Sequence, residues 1–122
     1  MTEAWFSKVA EELAQALVDA RECASACEEL LEEAHGKLER EQERRLLAAL
    51  VAPAAICRIM IELIDRPPPL LLAAARVARE TSLHAIGELD TLELPLDPAR
   101  ARGALAAVAE SCDTLLDAAD SV

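Results

Sequence analysis

Residues 21–36 read RECASACEELLEEAHG, and this stretch indicates the architecture of the whole chain. Small or apolar residues recur in it at spacings of four, three and four positions, at Cys23, Cys27, Leu30 and Ala34. This spacing keeps returning to one face of an α-helix, which is typical of helices that pack side by side in bundles. Gly36 ends the segment, since glycine readily adopts the left-handed conformation found just beyond a helix C-terminus.

The same spacing continues through four segments that are separated by helix-breaking residues. The breaks are His35-Gly36, the run Arg66-Pro67-Pro68-Pro69, and LELPLDP at residues 92–98. Three consecutive prolines cannot continue an α-helix. In the last break Asp97 is a natural N-cap, and Pro98 suits the first helical position. We therefore predict helices near residues 3–35, 38–65, 69–92 and 98–120.

Each predicted helix carries one stripe of small or apolar residues. The stripe positions are Phe6, Val9, Leu13, Ala16, Ala20, Cys23, Cys27, Leu30 and Ala34; then Leu46, Leu50, Pro53, Cys57, Met60 and Ile64; then Leu71, Ala75, Ala78, Ser82, Ala85, Leu89 and Leu92; and finally Ala101, Leu105, Val108, Cys112, Leu115 and Ala119. Flanking apolar residues widen the stripes, at Leu17, Leu31, Ile56, Leu63, Val77 and Leu116. Short connections make consecutive helices antiparallel. The predicted fold is all-α: one antiparallel up-down-up-down four-helix bundle over residues 1–122.

The second predicted helix has two unusual features. Pro53 lies inside it, so we expect a kink or a restart of the helix at that point. Between Leu46 and Ile64 the helix is also apolar on nearly all sides. A helix with this pattern is either enclosed in its own bundle or covered by a second subunit, and we expect a homo-oligomer. A different protein partner is the alternative.

The charge of the chain excludes several functions. The net charge is −11, and residues 1–43 alone hold 12 acidic and 4 basic residues, a net of −8. Such a surface repels phosphate backbones and anionic lipid headgroups, so we expect neither nucleic-acid nor membrane binding. The start, MTEAWFSKVAEEL, does not resemble a signal peptide, and the longest apolar run, Leu46–Cys57, is too short to span a bilayer. We expect a cytoplasmic protein whose four cysteines are thiols.

The cysteines are the candidate metal ligands. Cys23 and Cys27, one turn apart on one face, place two sulfur atoms close enough to share an ion. Soft thiolates suit Cu(I), which accepts two sulfurs, better than Zn(II), which requires four ligands. The other candidates are Cys57 and Cys112, with Met60 and His84 as possible additional ligands. The alternative is that no metal binds, because buried free cysteine often acts only as a small apolar residue.

The arrangement resembles the cysteine-rich four-helix-bundle copper storage proteins, whose helices carry CxxxC and CxxC pairs that point into the bundle. ECASACEELLEEAHG resembles the first such helix at Cys23 and Cys27, and APAAICRIMIELIDRPPP resembles the next helix at Cys57. GALAAVAESCDTLL keeps Cys112. The resemblance spans nearly the whole chain, and it implies inward-facing thiolates that bind Cu(I).

This sequence departs from that family at most of the thiol positions. Its third helix, LLLAAARVARETSLHAIGEL, has alanine, serine or leucine where thiols are expected. Storage of many ions is therefore not expected, and a few Cu(I) ions are the most that the chain can hold. Two alternatives remain open: a metal-free scaffold protein that keeps the fold, and a pocket for a small apolar ligand or an enzyme site between the third and fourth helices. No catalytic motif is present, so we predict that the chain is not an enzyme.

Overall fold

A computed structural model describes residues 2–121 as four helices. They are α1 (Thr2–Ala34), α2 (Arg40–Glu62), α3 (Pro68–Thr91) and α4 (Ala99–Asp120), and a 3-10 turn at Leu63–Asp65 extends α2. Helices α1 and α3 each pack against both α2 and α4, so the four form a closed ring in chain order. Within the described residues there is no strand. The predicted four-helix bundle is confirmed.

The predicted breaks have the expected local chemistry. Gly36 has φ = 75°, and the amide of Lys37 donates a hydrogen bond of 3.0 Å to the carbonyl of Ala34. At the start of α4, the amide of Ala99 donates a hydrogen bond of 2.9 Å to the Asp97 carboxylate. These contacts satisfy backbone groups that a helix terminus otherwise leaves without partners. They end α1 and begin α4 within a residue or two of the predicted positions.

At Pro53 the sequence predicts either a kink or a restart of α2. The expected restart is absent, because α2 is continuous from Arg40 to Glu62. Pro53 lies on the buried face of the helix, among the largest fully buried side chains of the core. Burial of the ring among apolar neighbours compensates for part of the stability that the missing amide donor removes.

Most residues of the predicted stripes are buried in the core, although Leu92 and Ala119 at the ends of their stripes are only partly buried. Three further departures have a structural explanation. Ile64 is 41% exposed, because it lies in the 3-10 turn, where the change from 3.6 to about 3.0 residues per turn rotates it away from the core. Val77 is 45% exposed, since the alanine-rich inner face of α3 buries only a narrow strip. Near the start of α1, Trp5 is buried and its neighbour Phe6 only partly so, whereas the stripe had assigned Phe6 to the core.

Ion pairs link neighbouring helices around the ring. They join Arg58 to Glu28, Arg45 to Glu88, Arg79 to Asp113, and Arg100 to Glu22. Exposed pairs of this kind contribute little to stability individually. They mark which residues of neighbouring helices stand at the same level of the bundle.

Helix α2 with its following turn, Arg40–Asp65, is long and apolar enough to cross a membrane by length and composition alone. An 18-residue window of it has a mean hydropathy of 2.1, and 33% of that window is buried within the bundle. The uncharged apolar run Leu46–Cys57 is shorter, because Arg58 interrupts it. A core helix of a bundle passes the same test, but the low buried fraction means that much of the apolar surface of α2 faces outward.

Candidate metal centre

The four thiols lie inside the bundle. Cys23 and Cys27 occupy successive turns of α1, Cys57 lies on α2 and Cys112 on α4, and each is a free cysteine with no exposed surface. The stripe pattern of the sequence predicts this inward orientation. What the sequence does not predict is which sulfurs meet.

Cys23 is the centre of the thiol group. Its thiol lies close enough to Cys27 on the same helix, Cys57 on α2 and Ser82 on α3 for each of them to shift its pKa. Three helices therefore bring polar side chains to one level of an otherwise apolar core. This convergence is the main chemical feature of the interior.

The proton affinities of these thiols differ because of their contacts. Hydrogen bonds from Cys27 and then Cys57 lower the pKa of Cys23, while burial acts in the opposite direction. The same hydrogen bonds, together with burial, raise the pKa values of Cys27 and Cys57. In this coupled group one thiol, Cys23, loses its proton first and the other two remain donors to it.

A second sulfur pair lies between α2 and α4. Cys112 Sγ is 4.0 Å from Met60 Sδ, and both residues are fully buried. Burial raises the pKa of Cys112 to about 12, so this thiol remains protonated at neutral pH without a metal. We use the name sulfur cluster for the five residues that carry these atoms: Cys23, Cys27, Cys57, Met60 and Cys112.

Ser82 is the residue whose role the sequence argument missed. It is fully buried on the inner face of α3, and its hydroxyl oxygen makes no hydrogen bond in good geometry among the described residues. It nevertheless lies close enough to Cys23 to lower the pKa of that thiol. An unsatisfied buried hydroxyl costs about 1–3 kcal/mol, so its presence here calls for a reason beyond packing. One signal of this role was present in the sequence: Ser82 occupies a stripe position at which a member of the copper storage family is expected to carry a thiol.

His84 does not join the sulfur cluster. Its side chain is 71% exposed, and its Nε2 atom is 4.0 Å from Glu88 Oε1 on the outer surface. Two residues along an α-helix correspond to about 200° of rotation, which turns His84 away from the core side that Ser82 faces. The sequence prediction that places His84 among the ligands is not supported by this geometry, whereas Met60 does lie with the thiols.

The sulfur cluster fits a metal that requires few ligands. Among residues 2–121 no three histidine, cysteine, aspartate or glutamate side chains are arranged as a ready metal site. Zn(II) in a structural site requires four such ligands, which these residues do not offer. Cu(I) prefers soft sulfur, and two thiolates suffice for it, so Cys23 with Cys27 or Cys57 meets its needs.

A comparison with models of protein families shows which family the chain belongs to. The model of the copper storage protein family matches residues 9–118, which is most of the chain. The chain belongs to the copper storage protein family. The match covers parts of all four helices and includes every member of the sulfur cluster. Searches of curated proteins and of solved structures found no match.

Membership in this family bears on the other hypotheses for the chain. Copper storage proteins are not an enzyme family, in agreement with the lack of a catalytic motif in the sequence. Between α3 and α4, where a small-ligand pocket was considered, there is a groove of about 430 Å³ lined by residues that include Arg79, Leu83 and Asp113. This groove opens onto the outer surface and does not reach the sulfur cluster. It therefore adds nothing to the metal centre.

Proposed function

We propose that this protein binds a small number of Cu(I) ions in the core of its bundle, with Cys23 as the primary ligand. The observation that supports this most directly is the convergence of Cys27, Cys57 and Ser82 on Cys23. A buried cysteine alone packs as a small apolar residue. The unsatisfied hydroxyl of Ser82 beside these thiols is the unusual feature, because an apolar residue of similar size fills that space at lower free energy. Binding of a soft cation by the thiolates explains why the thiols and the Ser82 hydroxyl lie together.

The proposed mechanism is sequestration. Metal binding displaces the protons of Cys23 and of one neighbouring thiol, and the resulting thiolates share the positive charge of Cu(I). All of these atoms are fully buried, so water and oxidants are kept from the bound ion. Proton release also makes binding weaker at low pH. Loading then follows the availability of Cu(I), while release requires a competing ligand or acidification.

The capacity of the site is low. The core of α3 consists of alanines, leucines and Ser82, and it contributes no sulfur atom. Among the described residues the interior holds four thiols and one thioether, so one ion at Cys23 and one between Cys57, Cys112 and Met60 exhaust the donors. The protein thus holds one or two copper ions and is not a bulk store.

Competition with a chromophoric Cu(I) chelator under reducing conditions tests this proposal. We expect the wild type to withdraw at least one equivalent of Cu(I), and the double variant Cys23→Ala/Cys27→Ala to withdraw none at the same chelator concentration. Val9→Ala is the matched control, because it also truncates a fully buried α1 side chain but removes no sulfur. A wild type that fails against a weak chelator, or a double variant that binds as well as the wild type, contradicts the proposal. Either result favours the metal-free scaffold.

A further inference from the structure

The Ser82 hydroxyl differs from the other helical hydroxyl groups of the chain. A serine or threonine inside a helix can donate a hydrogen bond to a backbone carbonyl of the preceding turn. Other helical hydroxyls of this chain do so, at Thr81, Ser111 and Thr114. The Ser82 hydroxyl makes no such bond, and among the described residues its oxygen is the one buried side-chain oxygen or nitrogen atom without a partner. Its side chain is therefore turned away from the backbone of its own helix.

The thiol group of the core is what the Ser82 hydroxyl lies against. Ser82 is fully buried on the inner face of α3, close to the Cys23 thiol, which also has Cys27 and Cys57 beside it. A neutral thiol is a weak hydrogen-bond acceptor, whereas a hydrogen bond to an ionised group is about twice as strong as one between neutral groups. The hydroxyl is thus placed where it gains most from a thiolate sulfur.

The charge of a loaded site explains why a donor is needed at this place. Two thiolates that hold one monovalent cation leave one negative charge uncompensated. Such a charge in an apolar core carries a large penalty unless hydrogen bonds satisfy it. On α1 the residues next to Cys23 and Cys27 are acidic, Glu22 and Glu28, and their negative charges increase this penalty. The loaded site therefore requires hydrogen-bond donors inside the core.

The described core offers few such donors. Besides the thiols it holds two buried serines, and the hydroxyl of one of them, Ser111, already donates to a backbone carbonyl. The backbone amides inside the helices are used by the helices themselves. The donors that remain are the Ser82 hydroxyl and whichever thiol, of Cys27 or Cys57, keeps its proton when the other binds the ion.

We infer that Ser82 makes the site selective for soft monovalent cations over soft divalent ones, by donating a hydrogen bond to the Cys23 sulfur of the loaded site. This inference rests on the proposed function, since it concerns the same thiols. The hydroxyl oxygen is a hard ligand that Cu(I) does not prefer, so Ser82 acts through Cys23 and not as a ligand itself. It is a specificity-determining residue, whereas the thiols bind the ion.

Hg(II) provides the comparison that separates charge from packing. Like Cu(I), it is a soft cation that two thiolates can hold, but two thiolates balance its charge completely. The resulting site is neutral and gains little from a hydrogen-bond donor. Removal of the Ser82 hydroxyl should therefore weaken the binding of Cu(I) and spare that of Hg(II). A change in the packing of the thiols affects both ions.

Ser82→Ala, measured with both ions in the absence of oxygen, tests the inference. Cu(I) is titrated against a chromophoric chelator, and Hg(II) against dithiothreitol. We expect Cu(I) binding to weaken at least about tenfold, as for the loss of a hydrogen bond to a charged group, and Hg(II) binding to change less than about threefold. The substitution leaves no polar group unsatisfied, so the fold is retained, which circular dichroism verifies. Ser111→Ala is the matched control and should leave both affinities unchanged, because its hydroxyl is bonded to the backbone of α4.

The two affinities together distinguish the possible roles of Ser82. A loss confined to Cu(I) supports the inference. Equal losses for the two ions, or a larger loss for Hg(II), overturn it, because Ser82 then acts on the packing of the thiols. A Ser82→Ala protein that binds Cu(I) as tightly as the wild type also overturns it but leaves the proposed function intact. A wild type that withdraws no Cu(I) from the chelator overturns both.

Discussion

Ser82→Ala is the substitution whose effect follows most directly from the structure. The Ser82 hydroxyl is fully buried and makes no hydrogen bond in good geometry, so folding removes it from water without full compensation. Its removal recovers about 1–3 kcal/mol of desolvation free energy, less whatever the contact with Cys23 contributes. Alanine also has the higher helix propensity, by about half a kcal/mol. We expect the metal-free variant to be more stable than the wild type by about 1–2 kcal/mol.

Ser111→Ala is the matched control for this prediction. Ser111 is also a buried serine in a helix, 7% exposed, but its hydroxyl donates a hydrogen bond of 3.3 Å to the carbonyl of Val108. Loss of that bond costs about 1 kcal/mol and offsets the gain in helix propensity. We expect Ser111→Ala to change the free energy of unfolding little or to lower it.

Urea denaturation of the reduced, metal-free proteins measures both effects. A gain of about 1–2 kcal/mol corresponds to a rise in Tm of about 4–8 °C for a chain of this size. In Cu(I) competition Ser82→Ala should bind more weakly than the wild type, because the hydroxyl that helps to stabilise the Cys23 thiolate is absent. A Ser82→Ala protein that is less stable than Ser111→Ala refutes the reasoning, since Ser82 would then have a hydrogen-bond partner in the metal-free protein.

Three further predictions concern the fold and the thiols. Gly36→Ala lowers the free energy of unfolding by about 1 kcal/mol, measured in urea, since Gly36 has φ = 75° and a left-handed conformation disfavours any side chain. Arg58 and Arg102 lower the pKa values of Glu28 and Asp90 below their ordinary 4.5 and 3.8. The two ion pairs therefore stabilise the fold fully above these ordinary values, and this stabilisation is lost as the pH falls through the lowered pKa values. The urea midpoint should drop in that pH range, and it should drop less steeply in Arg102→Gln, which removes the partner of Asp90. In the folded, metal-free protein a bulky maleimide should modify none of the four thiols before unfolding, because all four are fully buried. Mass spectrometry measures the number of labelled thiols over time. Prompt labelling of all four while the helices are intact would place them outside the core.

Much of the fold is predictable from the sequence, because helix periodicity and helix-breaking residues act locally. The spacing of Cys23, Cys27 and their neighbours predicts a buried face, and Gly36 and Asp97 behave at the helix ends as their chemistry requires. Local rules fail where the backbone geometry changes, as at Ile64 in the 3-10 turn. They also fail at Val77, because the side chains of the neighbouring helices determine how wide a face of α3 is buried.

The candidate site is only half predictable from the sequence. The stripes place each sulfur on an inner face, but the level at which two helices face each other depends on connections and interhelical contacts that no single helix encodes. For this reason the meeting of Cys23 with Cys57 and Ser82, and that of Cys112 with Met60, emerges from the assembled bundle. The exposed position of His84, by contrast, follows from local helix geometry, since about 200° of rotation separates it from the inward-facing Ser82.

X-ray absorption at the copper edge, on protein loaded with one equivalent of Cu(I), tests the central claim most directly. If the thiols around Cys23 hold the ion, the first shell contains only sulfur, with about two or three neighbours, and Cys23→Ala loses this signature. A first shell of nitrogen or oxygen atoms, or a spectrum that Cys23→Ala leaves unchanged, contradicts the account, because copper would then bind outside the buried cluster.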